Sequence, residues 1–184
     1  MTDIIRAERA IVTFFDGLTV EGYRMPDGEF RIGLAGAGLM IGYQKNWLGR
    51  ILSKQTGNVL KTLQGMGFSG VIIETGNVLD EGSTTRARTI SLDDFNRCII
   101  YGVQQKKPAA IALSQAFTKL ALIDFFREAF GEHPLSIEEK RQLFYETYAA
   151  SISPEQWHEM DKQDIINLAL AGDESQFKWG LWNR

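Results

Sequence analysis

The stretch over residues 34–53, LAGAGLMIGYQKNWLGRILS, constrains the fold of this chain more than any other. Leu34, Ala37 and Ile41 recur at helical spacing, and Gly42 supplies a residue that can end a helix with a positive φ. A second apolar face follows, made of Trp47, Leu48 and Ile51. The stretch therefore predicts two short helices joined at a glycine, which is the pattern of a helix-turn-helix.

The polar residues of this stretch lie where a helix-turn-helix contacts nucleic acid. Gly38 and Gly42 supply the small residues that two closely crossing helices need. The start and outer face of the second helix, predicted over residues 44–53, then carry Gln44, Lys45, Asn46 and Arg50. Amide and basic side chains of this kind contact base edges and phosphates in the major groove. The stretch therefore predicts binding of double-stranded DNA by these four residues.

Charge is distributed unevenly along the chain. The formal net charge is −3, but residues 1–122 carry +3 and residues 123–184 carry −6. No acidic residue occurs over positions 30–73, which hold Arg31, Lys45, Arg50, Lys54 and Lys61. The asymmetry indicates a basic binding unit with an acidic companion, and it adds Lys54 and Lys61 to the candidate DNA contacts. The alternative interpretation is a buried helical hairpin whose basic edge is only solvated.

Turn signals divide the region before the two helices into three strands. Residues 10–15, 18–24 and 29–32 are β-type runs, separated by an Asp-Gly pair and by a Pro-Asp-Gly turn. The pattern predicts a small antiparallel meander that leads directly into the helices.

A β-hairpin is predicted after the helices, with strands over residues 68–75 and 84–90 and a turn at Asp80-Glu81-Gly82. Arg86 and Arg88 share one face of its second strand. Arginines on a β-ribbon straddle a phosphate backbone in some proteins and line a solvated strand face in others, and both interpretations remain open.

Helix signals dominate the remainder of the chain. Capping residues predict helices that begin at Asn58, Ser91, Ser136 and Ser153, and Pro108 opens the longest one, through residue 130. This long helix is apolar on most sides, which is typical of a central core element or an oligomer interface. We therefore predict an α+β domain over residues 1–131, with the meander and hairpin packed against helices. An acidic, all-α extension over residues 132–184 is expected to follow it.

The sequence gives no indication of catalysis. Cys98, the only cysteine, lies on an apolar helical face far in sequence from either histidine, so it is expected to be a buried packing residue. The glycines at 36, 38 and 42 miss the spacing of a dinucleotide-binding loop, and no zinc or nucleophile motif is present. We expect no enzyme, no cofactor and no metal. The charged N-terminus and the interrupted apolar stretches predict a cytoplasmic protein without membrane contact.

The order of several short motifs resembles the BRO N-terminal domain, which is shared by viral BRO proteins and phage antirepressors and is distantly related to KilA-N domains. The motifs are FDG at residues 15–17, IGY at 41–43, TISLDDF at 89–95 and KPAA at 107–110. The resemblance covers residues 10–130. It implies a DNA-binding transcription regulator of the antirepressor type.

Two further expectations concern partners. A single helix-turn-helix reads few base pairs, so we expect a homodimer, with residues 132–184 contributing contacts between subunits. The alternative function is a non-enzymatic adaptor or antirepressor that acts by protein binding, with a docking segment in the aromatic tail that holds Phe177, Trp179 and Trp182.

Overall fold

A computed structural model describes residues 5–54, 57–78 and 84–159 of the chain. It divides the protein into two compact units, one over residues 1–151 and the other over residues 152–184. The first unit has the predicted α+β architecture, with helices packed against a curled mixed sheet.

The sheet of the first unit has six strands in the order β1-β5-β6-β4-β3-β2. The two-residue β1 pairs parallel with β5, and the other neighbours are antiparallel. The strand bounds are β1 Ile5–Arg6, β2 Glu8–Phe15, β3 Leu18–Arg24, β4 Phe30–Gly33, β5 Ile73–Val78 and β6 Thr84–Ser91. The predicted meander is thus confirmed as β2-β3-β4. The predicted hairpin strands pair as β5 and β6, although β5 begins at Ile73, five residues later than predicted.

The helices of this unit are α1 Leu34–Met40, α2 Trp47–Lys54, α3 Asn58–Gly65, α4 Leu92–Gln104, α5 Pro108–Ala129 and α6 Ile137–Ala150. The capping predictions hold for α4, where Ser91 Oγ accepts from the Asp94 N–H, and for the complete capping box of α6. For α3 the prediction was wrong by one residue: Gly57 is the N-cap, and Asn58 is already helical.

The helix predicted over residues 44–53 begins later than expected. In the structure α2 starts at Trp47, and residues 41–46 form the connection from α1. This six-residue connection is longer than the turn of three or four residues usual in a helix-turn-helix. The reason is local, because the Gln44 carbonyl accepts from the Trp47 N–H at 2.9 Å and so forms a turn before α2. Three of the four predicted contact residues therefore lie in a loop.

Arg31 is a second departure from expectation, because it does not contribute to the basic surface. The side chain is 4 % exposed in β4 and pairs with Glu29 at 2.9 Å. Its Nε donates to Thr89 Oγ1 at 3.1 Å, and its Nη2 donates to the carbonyl of Val71 at 2.9 Å. A buried guanidinium needs such complete pairing, since an unpaired charge in the interior is costly. Arg31 thereby joins β4 to β6 and to the segment before β5.

The first compact unit extends through α6, beyond the boundary at residue 131 that the sequence predicted. Aromatic contacts account for this. Phe14 of β2 lies with its ring centroid 5.3 Å from that of Phe144 in α6, and Phe15 lies 5.3 Å from Tyr148. Phe117 of α5 completes the cluster at 4.9 Å from Phe144. Such pairs add to the burial of large apolar surfaces, so α6 is held on the sheet.

The long helix α5 combines two environments. By length and composition it is apolar enough to cross a membrane. Its first half, however, belongs to the protein core, with Ala109, Ala110, Ala112, Leu113 and Ala116 all buried. The predicted assignment of this helix to the core thus describes its first half, and the second half is largely exposed.

In the second unit the structure describes residues 152–159. Ser153 begins the helix there as predicted, since its Oγ accepts from the Gln156 N–H at 3.2 Å. The remainder of the predicted helix and the aromatic tail with Phe177, Trp179 and Trp182 lie outside the described residues, as does the predicted hairpin turn at residues 80–82.

The burial of Arg31 leads to a stability prediction. Arg31→Ala removes hydrogen bonds to three partners and leaves a cavity, so we expect the free energy of unfolding to fall by about 3 kcal/mol. Arg24→Ala is the matched control, because Arg24 is an exposed arginine of the adjacent strand paired with Glu8, a pair worth less than about 1 kcal/mol. Urea denaturation measures both. Equal losses for the two variants would contradict the role assigned to Arg31.

Candidate nucleic-acid interface

The loop between α1 and α2 is fixed by close backbone contacts. Gly42 has φ +81° and its N–H donates to the Leu39 carbonyl, so glycine here ends α1 as predicted. The Tyr43 N–H donates to the Gly38 carbonyl at 3.0 Å. A Cβ on Gly38 would stand 3.0 Å from the Gln44 carbonyl oxygen, which is closer than side chains normally approach. The small residues of α1 therefore let the loop fold back tightly over the helix.

An aromatic stack anchors the same loop on α4. The Tyr43 and Trp47 rings are nearly parallel with centroids 4.1 Å apart, and Tyr101 of α4 lies 6.1 Å from Trp47. The Lys107 ammonium is 4.6 Å from the centroid of the Tyr43 ring, a cation–π distance. Burial raises the pKa of the Tyr43 phenol to about 12, and the neighbouring Tyr101 and Cys98 groups add to the rise. The stack fixes both ends of the segment that carries Lys45 and Asn46.

Helix α2 has one buried and one exposed side. Leu48 is fully buried and holds the helix on the body of the unit. Arg50 is exposed, and its Nη2 donates to Gln44 Oε1 at 3.0 Å, so these two predicted contact residues support each other. The arrangement pre-orients the Arg50 guanidinium toward solvent.

The basic residues predicted in the helix-turn-helix stretch and those predicted on β6 lie close together near Gly49 of α2. Arg86 and Arg88 are exposed on β6, as expected from their alternation. A Cβ added to Gly49 of α2 would lie 3.9 Å from Arg88 Nη1, so the strand arginine and the helix are in van der Waals range. Residues about forty positions apart in the sequence are thus brought to one place by the fold.

A groove of about 550 Å³ lies between these elements. Its polar and charged lining residues are Glu21, Lys45, Asn46, Arg86 and Arg88. Small residues form much of the rest, namely Gly33, Ala35, Gly36, Gly49 and Ala87, together with Leu34. A concave surface with three cations and few bulky side chains can accept a phosphate backbone closely.

The cations of this region remain available for an anionic partner. Within residues 5–54, 57–78 and 84–159, no carboxylate lies within ion-pair distance of Lys45, Arg50, Arg86 or Arg88. This holds even for Arg88, whose cross-strand neighbour is Glu74. The groove therefore keeps its positive charge.

Glu21 is the one acidic side chain in the groove lining of the described chain, and it is already engaged. It accepts hydrogen bonds from the Tyr23 phenol at 2.8 Å and from Arg9. Burial acts to raise its pKa, but these two hydrogen bonds and the charges of Arg9 and Lys45 lower the pKa below its usual value. Glu21 thus stays ionised, and part of its charge is neutralised by Arg9.

The other predicted contact residues lie outside the groove lining. Gln44 and Arg50 adjoin it through the Lys45 and Asn46 loop, whereas Lys54 ends α2 and has an interaction of its own within the chain. Lys61 is exposed on α3 and is not brought to the groove. From the sequence, the small residues of α1 are expected only to pack helices together. Glu21 is not expected from the sequence to line the groove. The repeated glycines in residues 33–38 were the available signal for a close approach.

Cys98 occupies the packing position that was expected. Its side chain is fully buried. Burial, with a further contribution from the charge of Asp94, raises the pKa of the thiol to about 12, so no thiolate nucleophile is present at neutral pH. Among the described residues no group of three potential metal ligands occurs.

Comparison with known proteins gives no relative, because the chain matches no protein-family model, no curated protein and no solved structure. The resemblance to BRO domains therefore stays a prediction.

The partly buried Tyr43 phenol predicts a loss of stability at high pH. An unfolded tyrosine ionises near pH 10, whereas folded Tyr43 keeps its proton to about pH 12, so the folded state binds more protons in this window and the free energy of unfolding falls as pH rises. Tyr43→Phe should make the slope of unfolding free energy against pH shallower by about one proton between pH 10 and 12. Urea unfolding across this range measures it, with stability at pH 7 as the internal control. An unchanged slope would show that Tyr43 is not buried in the stack.

Proposed function

We propose that this protein is a cytoplasmic, double-stranded-DNA-binding transcription regulator of the phage-antirepressor type. The observation that carries the proposal is the groove in which Lys45 and Asn46 of the α1–α2 loop meet Arg86 and Arg88 of β6. The sequence predicts Lys45 and Asn46 as DNA contacts, and phosphate contact is one of its two open interpretations for Arg86 and Arg88. Their convergence on one concave surface favours a binding site over two unrelated solvated faces.

The geometry suggests different roles for the two sides of the groove. Arg86 and Arg88 project from a paired strand and are suited to hold phosphates of one DNA strand. Asn46 lies directly before α2, and its amide can donate and accept hydrogen bonds at a base edge. Lys45 and Arg50 add cations on the same side. In this arrangement the α1–α2 loop and the first turn of α2 enter the major groove of the DNA. The sequence instead predicts that a helix beginning at residue 44 enters it.

Charge reversal at the groove should weaken DNA binding. Lys45→Glu and Arg88→Glu should each lower affinity for a random 20-base-pair duplex by about tenfold or more, because each removes a phosphate contact and adds repulsion. Alanine at the same positions should lower the slope of log affinity against log salt by about one unit each. Fluorescence anisotropy titrations at several salt concentrations measure both effects.

Lys61→Glu is the matched control, since it makes the same charge change in the same acid-free segment but outside the groove. We expect less than about a twofold change in affinity. If Lys61→Glu weakens binding as much as Lys45→Glu, binding follows overall charge and the groove has no special role.

Filling the groove tests its shape independently of charge. Gly49→Leu places a side chain in the groove beside Arg88, where a Cβ would stand 3.9 Å from Nη1, and should reduce affinity by about tenfold while leaving the net charge unchanged. Gly65→Leu is the control, because a Cβ at this exposed end of α3 meets nothing within 4 Å. Circular dichroism verifies folding. Full affinity of the Gly49→Leu variant would argue against occupation of the groove by DNA.

The alternative function is an adaptor that binds an acidic protein surface through the same cations. The groove chemistry is compatible with carboxylates as well as phosphates. A gel shift with genomic duplex at low salt separates the two, since absence of retardation at micromolar protein would favour the adaptor.

A further inference from the structure

The second half of α5 and the residue that follows it carry the most exposed large apolar side chains of the described residues. Phe125 is 71 % exposed, Phe126 65 % and Phe130 79 %, and Leu122 and Ile137 are each more than half exposed. We refer to these five residues as the α5 patch. Isolated apolar residues are common on protein surfaces, but a contiguous group of this kind indicates an interaction site.

The patch has the geometry of a helix-packing surface. Leu122, Phe126 and Phe130 follow one another at intervals of four residues and therefore form a continuous ridge along α5. Phe125 flanks the ridge, and Ile137 adds to the patch from the start of α6. Another side of this part of α5 is already occupied, since α6 packs there and Lys140 pairs with Asp124 at 2.9 Å.

The exposed area suits contact between two copies. With 150–250 Å² for a complete aromatic side chain, the five residues expose on the order of 600 Å². A standard interface buries about 800 Å² on each partner, so the patch with its polar rim reaches the size that a stable dimer needs.

The order of charges along α5 favours an antiparallel pair. Exposed Lys119 lies at the N-terminal end of the ridge, whereas exposed Glu128 lies toward its C-terminal end, where Glu132 already pairs with Arg127 at 3.1 Å. A two-fold axis perpendicular to the helix brings the lysine end of one copy beside the glutamate end of the other. A parallel arrangement would place like charges together.

We propose that the α5 patch is the homodimer interface of this protein, with α5 of a second copy packed antiparallel against it and Phe126 of both copies near the two-fold axis. The proposal does not rest on DNA binding. It locates the dimer contact on the exposed second half of α5 and the start of α6, in the first compact unit, whereas the sequence predicts contacts contributed by residues 132–184.

A lipid bilayer is the competing occupant. The exposed half of α5, residues 119–129, is about 16 Å long, which is too short for a hydrocarbon core of about 30 Å. Its buried first half cannot leave the protein core without unfolding. Spanning is therefore excluded on physical grounds, and adsorption at a membrane surface is left as an outcome of the test.

Sedimentation equilibrium of the full chain tests the proposal. At tens of micromolar we expect twice the 20.7 kDa chain mass, and Phe126→Glu should raise the dimer dissociation constant at least about 100-fold. Val71→Glu is the matched control, because Val71 is 56 % exposed and lies outside the patch, and it should leave the dimer intact. A monomeric wild-type chain, or a dimer unaffected by Phe126→Glu, would overturn the proposal.

Cross-linking and vesicle binding give two further readouts that do not depend on loss of structure. Oxidation of an F126C variant should yield a disulfide-linked dimer, whereas V71C should not, and Cys98 is too buried to interfere. Binding of a monomeric chain to vesicles of phosphatidylglycerol and phosphatidylcholine, lost in Phe126→Glu, would assign the patch to membranes and overturn the dimer.

Discussion

The buried Arg31 side chain is the interaction on which the rest of the first unit depends. It pairs with Glu29 just before its own strand, with Thr89 on β6 and with the carbonyl of Val71 before β5. These contacts join the N-terminal meander to the hairpin that carries Arg86 and Arg88. Together with the antiparallel pairing of β4 and β6, this join positions the strand arginines relative to the α1–α2 loop. The buried Arg31 guanidinium thereby helps to position the exposed arginines Arg86 and Arg88.

Small residues form the second constraint. The glycines of α1 disfavour a helix by about 1 kcal/mol each relative to alanine, so packing must hold it. The structure shows what their size permits: Gly38 lets the Gln44 carbonyl approach, and Gly49 of α2 leaves space beside Arg88. The conflict between local propensity and structure thus occurs at the candidate site, which is where such conflicts are expected in natural proteins.

Helix α5 illustrates how one element serves two purposes. Its first half supplies small buried side chains, including Ala110, which faces Gly102 and lets α4 approach closely. Its second half extends past the sheet and exposes Phe125, Phe126 and Phe130. The first half has no charged side chain, whereas the second half carries Lys119, Asp124, Arg127 and Glu128, so sequence and surroundings together distinguish the core segment from the exposed one.

The sequence by itself determined the α+β class, the meander, the paired hairpin strands and most helix starts, because these follow from turn residues, capping residues and periodicity over short distances. It also indicated the individual cations of the candidate site. Only the tertiary structure decided that Arg31 is internal, that Lys61 stays apart, and that Lys45 and Arg88 line one groove. It likewise grouped α6 with the sheet through Phe14 and Phe144. Contacts between residues distant in sequence depend on strand order and side-chain packing, which local patterns do not encode.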